Sequence, residues 1–329
     1  MVAPPSAAGR GYPRLLGDIG GTHARWAWQD AGDPAPARIV VHRCVEHASL
    51  LDSARRYLDE QGLGEPAAAA VGVATPVTGD EVRMTNHPWA FSISALQRAL
   101  GVGRLVVIND FTALALSVPG LGADDLRALG GGSAAPDGAI AVIGPGTGLG
   151  VSGLVPDGRG DWVPLAGEGG HVTLAAADDV DAALLARLRA RFGHVSAERV
   201  VSGPGLAAVY AVLCERDGAT VHLADAPAIA AAAGDGSDAR AVEAVHRFTG
   251  FLGNVAGNLA LTLGARGGVY LGGGVVPRLG RAFDAAWFRR RFEDKGRFAG
   301  YLREIPTWLI TAATPALLGA SRALDRPAR

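Results

Sequence analysis

Asn109 and Asp110 follow Leu105-Val106-Val107-Ile108 without a break. Four apolar, mostly β-branched residues predict a buried strand. The apolar run 111–118, stopped by Pro119-Gly120, predicts a helix. Residues just past a strand's carboxyl end in an open α/β sheet face the ligand crevice, so Asp110 stands where a carboxylate can take a proton. An Asp at that point also caps a helix, and the stretch alone supports both readings.

Leu15-Leu16-Gly17-Asp18-Ile19-Gly20-Gly21-Thr22 followed by His23-Ala24-Arg25-Trp26 reads as strand, glycine turn, strand. Paired glycines let backbone N–H groups approach an anion, and they equally build a plain hairpin. A carboxylate such as Asp18 beside phosphate needs a cation between them, which implies Mg²⁺ if phosphate binds there. No Gly-Lys-Ser/Thr follows, so this is not a Walker A loop. Residues 139–155 repeat the arrangement around Gly144-Pro145-Gly146-Thr147-Gly148. Two such turns, ~125 residues apart, suggest a duplicated α/β unit that holds phosphate.

Three further clusters carry polar chemistry. Glu168-Gly169-Gly170-His171 sets a carboxylate and an imidazole on a glycine-flexed loop. A helical Glu-x-x-His metal site is disfavoured by the glycines, leaving a pair for a polyhydroxyl ligand or a surface turn. Glu198 pairs with Arg199 or faces solvent on this reading. Gly272-Gly273-Gly274 after a strand lets backbone lie flat against an adenine or a ribose, though such turns occur in many folds. Met84-Thr85-Asn86-His87-Pro88-Trp89 lines a sugar pocket, or is a turn with Trp89 in the core.

The elements that must position these residues are strands at 38–45, 67–73, 267–271 and 305–311, and helices at 49–61, 93–100, 179–192, 206–215, 224–233, 238–263, 283–292 and 315–323. In the long helix, Val242, Val245, Phe248, Leu252 and Val255 share an apolar face, and Gly250, Gly253 and Gly257 permit close packing. The Gly-, Ala- and Asp-rich stretch from Pro119 to Gly138 reads as a hinge.

Composition sets the frame. The 329 residues are 49% hydrophobic and 19% charged, enough for two cored domains. A net charge of −1 gives no basic excess for nucleic acid. Cys44 and Cys214 lack metal or disulfide spacing and suit a reducing compartment. No signal segment and no apolar run of ~18 residues is present, so a cytoplasmic protein without membrane or nucleic-acid partners is expected. Residues 1–12 read as a flexible arm.

Taken in order, the stretches at 17–22, 84–87, 108–113, 144–150, 167–171, 198–205 and 272–274 resemble the bacterial glucokinase family, within the sugar kinase, Hsp70 and actin superfold. Phe292-Glu293-Asp294-Lys295-Gly296-Arg297-Phe298 adds to the likeness, which covers nearly the whole chain. The resemblance implies an α/β, two-domain, duplicated ribonuclease H-like fold with an interdomain cleft. It implies a small domain at 1–120, with a C-terminal helix at about 312–329 packing back onto it, and a large domain at 121–311. The implied activity is ATP- and Mg²⁺-dependent phosphorylation of D-glucose by a homodimer. Gly17, Asp18, Ile19, Gly20, Gly21 and Thr22 match the first phosphate loop, with Asp18 near the metal through water. Gly146, Thr147 and Gly148 match the second, and Gly272, Gly273 and Gly274 the adenosine contact. Asn109, Glu168, His171 and Glu198 match glucose-binding residues, and Asp110 the catalytic base. His23 replaces an Asn common after Gly-Gly-Thr, and Ala312-Ala313-Thr314-Pro315 is less polar than the family pattern. The cysteine-rich zinc motif of the other large sugar-kinase family is absent. A kinase of fructose or mannose, a nucleotide-driven ATPase switch and a sugar-sensing regulator are the competing classes. The last usually carries a helix-turn-helix extension, for which the short amino terminus leaves no room.

Overall fold

A computed structural model describes residues 11–327. They form two compact units, one running through Leu121 and resuming at Ala312, the other Gly122–Thr311. The first unit contains β1 (Arg14–Ile19), β2 (His23–Gln29), β3 (Ala37–Arg43), α1 (Leu50–Glu60), β4 (Ala68–Val73), the hairpin β5 (Glu81–Arg83) and β6 (Ala90–Ser92), α2 (Ile93–Leu100), β7 (Arg104–Asn109) and α3 (Asp110–Ser117). The second contains β8 (Leu126–Gly130), β9 (Ile140–Pro145), β10 (Leu149–Pro156), β11 (Trp162–Gly167), α4 (Asp179–Phe192), α5 (Gly203–Arg216), α6 (Ala226–Asp235), α7 (Ala239–Leu263), β12 (Gly268–Leu271), α8 (Val275–Leu279), α9 (Ala285–Glu293), α10 (Ala299–Arg303) and β13 (Thr307–Ile310). The last helix, α11 (Pro315–Asp325), belongs to the first unit.

One strand order occurs twice. The first sheet runs β3-β2-β1-β4-β7, and the second β11-β10-β9-β12-β13 with β8 added at its edge. In each, the first three strands are an antiparallel meander and the last two join in parallel. The repeat predicted from two glycine turns is therefore a repeat of whole sheets.

Local chemistry sets the helix ends. Ser49, Ser92, Asp178, Ser202, Asp225 and Asp238 each accept a first-turn N–H, covering donors that the helix leaves unpaired. Pro204 falls in the first turn of α5, where its missing N–H costs nothing. On one face of the first sheet Leu15, Ile19, Trp26 and Val71 pack with Tyr57 and Leu96. On the other, Leu16, Ala27 and Ala70 meet Leu317, Ala320 and Leu324 of α11. The second unit's core joins Ile143, Tyr210, Phe248, Phe288 and Leu309. There α7 lies against α9 so closely that Gly253 and Gly257 face the carbonyl oxygens of Phe288 and Phe292.

Three expectations change. The strand predicted as buried before Asn109 is an edge strand, half-buried along its length, because β4 lies between it and the central β1. The stretch read as a hinge at 119–138 holds the boundary between the two units at Leu121, but it also contains β8, whose partner β13 lies far along the chain. Val242 on α7 is 44% exposed, because the face that packs there is the one carrying the buried Ala241, Ala244 and Val245. Of the arm read at 1–12, residues 1–10 lie outside the described ones, while the Arg14 guanidinium sits 4.0 Å from the Tyr12 ring.

Candidate active site

In the first unit, three parallel strands share one register. Asp18 pairs with Gly72 and Gly72 with Ile108, while Ile19, Val73 and Asn109 form the next rank. Asp18 and Asn109 therefore emerge at the same carboxyl edge, two strand spacings or about 10 Å apart along the sheet. Gly72 brings α3 close: a Cβ there would lie 3.2 Å from Ala113 Cβ and 3.5 Å from Asp110 Cα.

The cap of α3 is Asn109, not Asp110. Its Oδ1 accepts the N–H groups of Phe111 at 2.9 Å and Thr112 at 3.2 Å, and Nδ2 donates to Thr75 O at 3.4 Å. Asp110 is the first helical residue, half-buried, with Oδ1 accepting from Phe111 N at 2.9 Å. The choice between capping and chemistry falls on two adjacent residues, which leaves the capping to Asn109.

The first glycine turn is closed by Gly20 N–H on His23 O at 2.9 Å. Cys44 braces it, donating its N–H to Thr22 O at 2.9 Å and its thiol to Gly20 O at 3.5 Å. Gly21 abuts Asn86, and a Cβ on it would stand 2.8 Å from that residue's Cβ. Thr22 and His23 are exposed, and His23 serves the turn through its backbone. Asp18 receives Arg25 at 3.2 Å across the hairpin. Burial pushes the Asp18 carboxyl above its ordinary value, with Arg25 opposing the shift. The donor set here is a single carboxylate, and no described His, Cys, Asp or Glu residues group by three to hold a metal. That fits Mg²⁺, which retains several waters and takes one or two carboxylates plus substrate phosphate.

In the second unit, the turn at 146–148 is closed by Gly146 N–H on Gly148 O at 2.8 Å. The strand end that leads into it meets the triple-glycine turn backbone to backbone. A Cβ on Gly144 would stand 2.5 Å from Gly272 C, and one on Gly273, at φ +74°, 2.5 Å from Pro145 O. The first residue of α5, Gly203, donates to Gly146 O at 2.9 Å. The predicted phosphate and adenosine turns are thus one continuous surface.

Glu198 joins that surface. Its Oε2 accepts the Leu149 N–H at 2.9 Å, and the residue is half-buried, so this carboxylate oxygen pairs with the turn and not with Arg199. Its own N–H donates to Gly170 O at 2.9 Å, and Ala197 N and Leu174 N extend the ladder to Val172 O and Val195 O. The segments bearing His171 and Glu198 are zipped together in this way. Glu168 and His171 stand 4.0 Å apart with side chains 52% and 61% exposed.

Trp89 does not line a pocket. It is 5% exposed in the first unit's core, and its Nε1 donates to His47 O at 3.2 Å. A ring buried by its own domain has no face for a sugar. Sequence reading also missed Arg25 and Cys44. Arg25 was accessible from hairpin arithmetic, since a two-residue loop at 21–22 pairs 18 with 25. Cys44 carried no signal, because its contact depends on the next strand's register.

The profile of the glucokinase family matches residues 15–327. The chain belongs to the glucokinase family. It is 55% identical to the glucokinase of Aromatoleum aromaticum over 98% of this chain and 97% of that one. It is 52% identical to that of Chromobacterium violaceum, over 94% and 88%. The crystal structure of a glucokinase from an Antarctic psychrotroph aligns with TM-score 0.86 at 36% identity, covering 95% of this chain and 98% of that chain. The doubled sheet order is accordingly that of the actin/hexokinase-type kinases, as the resemblance implied. Among the described residues, no helix is long and apolar enough to cross a membrane.

Proposed function

We propose that this chain transfers the γ-phosphoryl group of ATP to the 6-hydroxyl of D-glucose, giving glucose 6-phosphate and ADP, the entry reaction of glycolysis. The observation that carries the reading is Asp110, placed one residue beyond the cap Asn109 at the same sheet edge as Asp18 and its glycine turn.

Phosphoryl transfer has a loose transition state, so the protein's task is positioning and charge neutralisation. In this reading the turns at 17–22 and 146–148 hold the phosphates with backbone N–H groups, aided by the exposed hydroxyls of Thr22 and Thr147. The Gly272, Gly273 and Gly274 turn, packed on the strand end that leads into the second phosphate turn, lies along the adenosine. Mg²⁺, when bound near Asp18 through water, neutralises phosphate charge. Asp110 takes the 6-hydroxyl proton as that oxygen attacks phosphorus in line. Asn109, Glu168, His171 and Glu198 pair with the ring hydroxyls, and a polar group left unpaired by the wrong epimer costs about 1–3 kcal/mol. A cytoplasmic homodimer is part of the same proposal.

A coupled assay of ADP release with ATP and Mg²⁺, against glucose, mannose, fructose, galactose and N-acetylglucosamine, tests it. Glucose-dependent release with glucose preferred supports the reading. Preference for another hexose, or sugar-independent hydrolysis, moves the chain to a different kinase or an ATPase.

A further inference from the structure

Leu149 follows Gly148 in the second phosphate turn, and its N–H holds Glu198 Oε2 at 2.9 Å. A Cβ added to Gly148 would fall within the contact radius of that same oxygen. Two residues earlier, a Cβ on Gly146 would meet nothing within 4 Å. Neither glycine has a left-handed φ, so the carboxylate alone, not backbone strain, excludes a side chain at 148. Glu198 cannot retreat by moving its backbone. Its N–H is bound to Gly170 O at 2.9 Å and its carbonyl accepts Ser202 Oγ at 2.7 Å. A rotation of the side chain away from a new methyl group would break the Leu149 bond.

We propose that Gly148 is a positioning residue for the hexose: its missing side chain seats the Glu198 carboxylate on the Leu149 N–H, so the shape of the phosphate turn sets hexose affinity. This rests on the reading of Glu198 as a hexose ligand. The second oxygen of the carboxylate, which accepts nothing from the described residues, is then presented to a sugar hydroxyl in one orientation. A residue assigned to nucleotide binding thus controls the other substrate.

Calorimetric titration of the full chain with D-glucose, without nucleotide, tests this. Gly148→Ala is expected to raise the glucose Kd about tenfold, as loss of a well-placed charged hydrogen bond would. Gly146→Ala, in the same turn but facing open space, is expected to stay within about twofold. In a Glu198→Ala background, Gly148→Ala should add nothing, since its effect runs through that carboxylate. Equal effects of the two glycine variants, or full additivity with Glu198→Ala, overturn the proposal. A reciprocal measurement does not need Gly148→Ala to fold. Glu198→Ala releases the Leu149 N–H and should raise the ATP Kd, read without glucose, about fivefold, and an unchanged ATP Kd overturns the coupling. A wild-type chain that binds no glucose refutes the functional reading itself, whereas normal glucose binding with indifferent variants refutes this inference alone.

Discussion

Gly319 on α11 lies against Ala113 on α3 so closely that a Cβ on Gly319 would overlap the Ala113 carbonyl oxygen. Ala113 is one turn beyond Asp110, so a helix from the end of the chain fixes the height of the proposed base above its sheet.

Gly319→Ala is therefore expected to displace α3. The strain should lower stability by about 1–3 kcal/mol, the range for forced overpacking. Turnover should fall while glucose affinity, proposed to rest mainly on Glu168, His171 and Glu198, changes less. Urea denaturation and steady-state kinetics read both. An unchanged midpoint and unchanged kcat would show that α3 does not depend on this contact.

Asn109 offers a separate test of how the helix starts. Its Oδ1 serves two N–H groups of the first turn. Removing a cap of this type costs about 1 kcal/mol, and Asp caps as well as Asn. Asn109→Ala should lower the denaturation midpoint and Asn109→Asp should preserve it. Equal losses in both would mean that capping is not what Asn109 contributes to stability.

Much of this arrangement was legible in the sequence because it depends on short-range patterns. Strand ends at Ile19, Asn109 and Pro145, each followed by a polar residue or a glycine turn, announce themselves within a few residues. What depends on pairing over long separations was not legible. β8 is short, exposed along much of its length, and gains its identity from β13. Trp89 has the composition of a sugar platform but the environment of a core residue, and composition carries no burial. The hold of Leu149 on Glu198 joins backbone to side chain across 49 positions, which no spacing rule encodes.

Glu168 is exposed and makes no bond that the fold requires beyond its backbone's closure of the 168–171 turn. Glu168→Gln should leave the melting temperature within about 1 °C, in the range of neutral surface changes. It should raise the KM for glucose and spare that for ATP, since a neutral amide is a weaker acceptor for a sugar hydroxyl. A normal glucose KM would remove Glu168 from the sugar contacts.

Chelation separates metal from fold. With one carboxylate in the donor set, Mg²⁺ is expected to arrive with the nucleotide rather than to support the apo structure. EDTA should abolish ADP release, excess Mg²⁺ should restore it, and the thermal midpoint of the free protein should not move. A large drop in that midpoint on chelation would point to a structural metal elsewhere.

Asp110→Asn is the most direct test of the chemistry. The substitution keeps the volume and an oxygen that can accept the Phe111 N–H, which Asp110 Oδ1 now receives at 2.9 Å. The cap at Asn109 is untouched, so the helix should start where it does in the wild type. What is lost is the capacity to take a proton from the attacking hydroxyl. General-base contributions run to about 10²–10⁴-fold, so kcat should fall by at least about 10²-fold. Glucose binding, measured by titration, should weaken far less, because an amide still pairs with the 6-hydroxyl. A folded Asp110→Asn protein with near-normal kcat would falsify the assignment, and the proton would then need another acceptor at the carboxyl edge of the first sheet, where Asp18 is already engaged by Arg25.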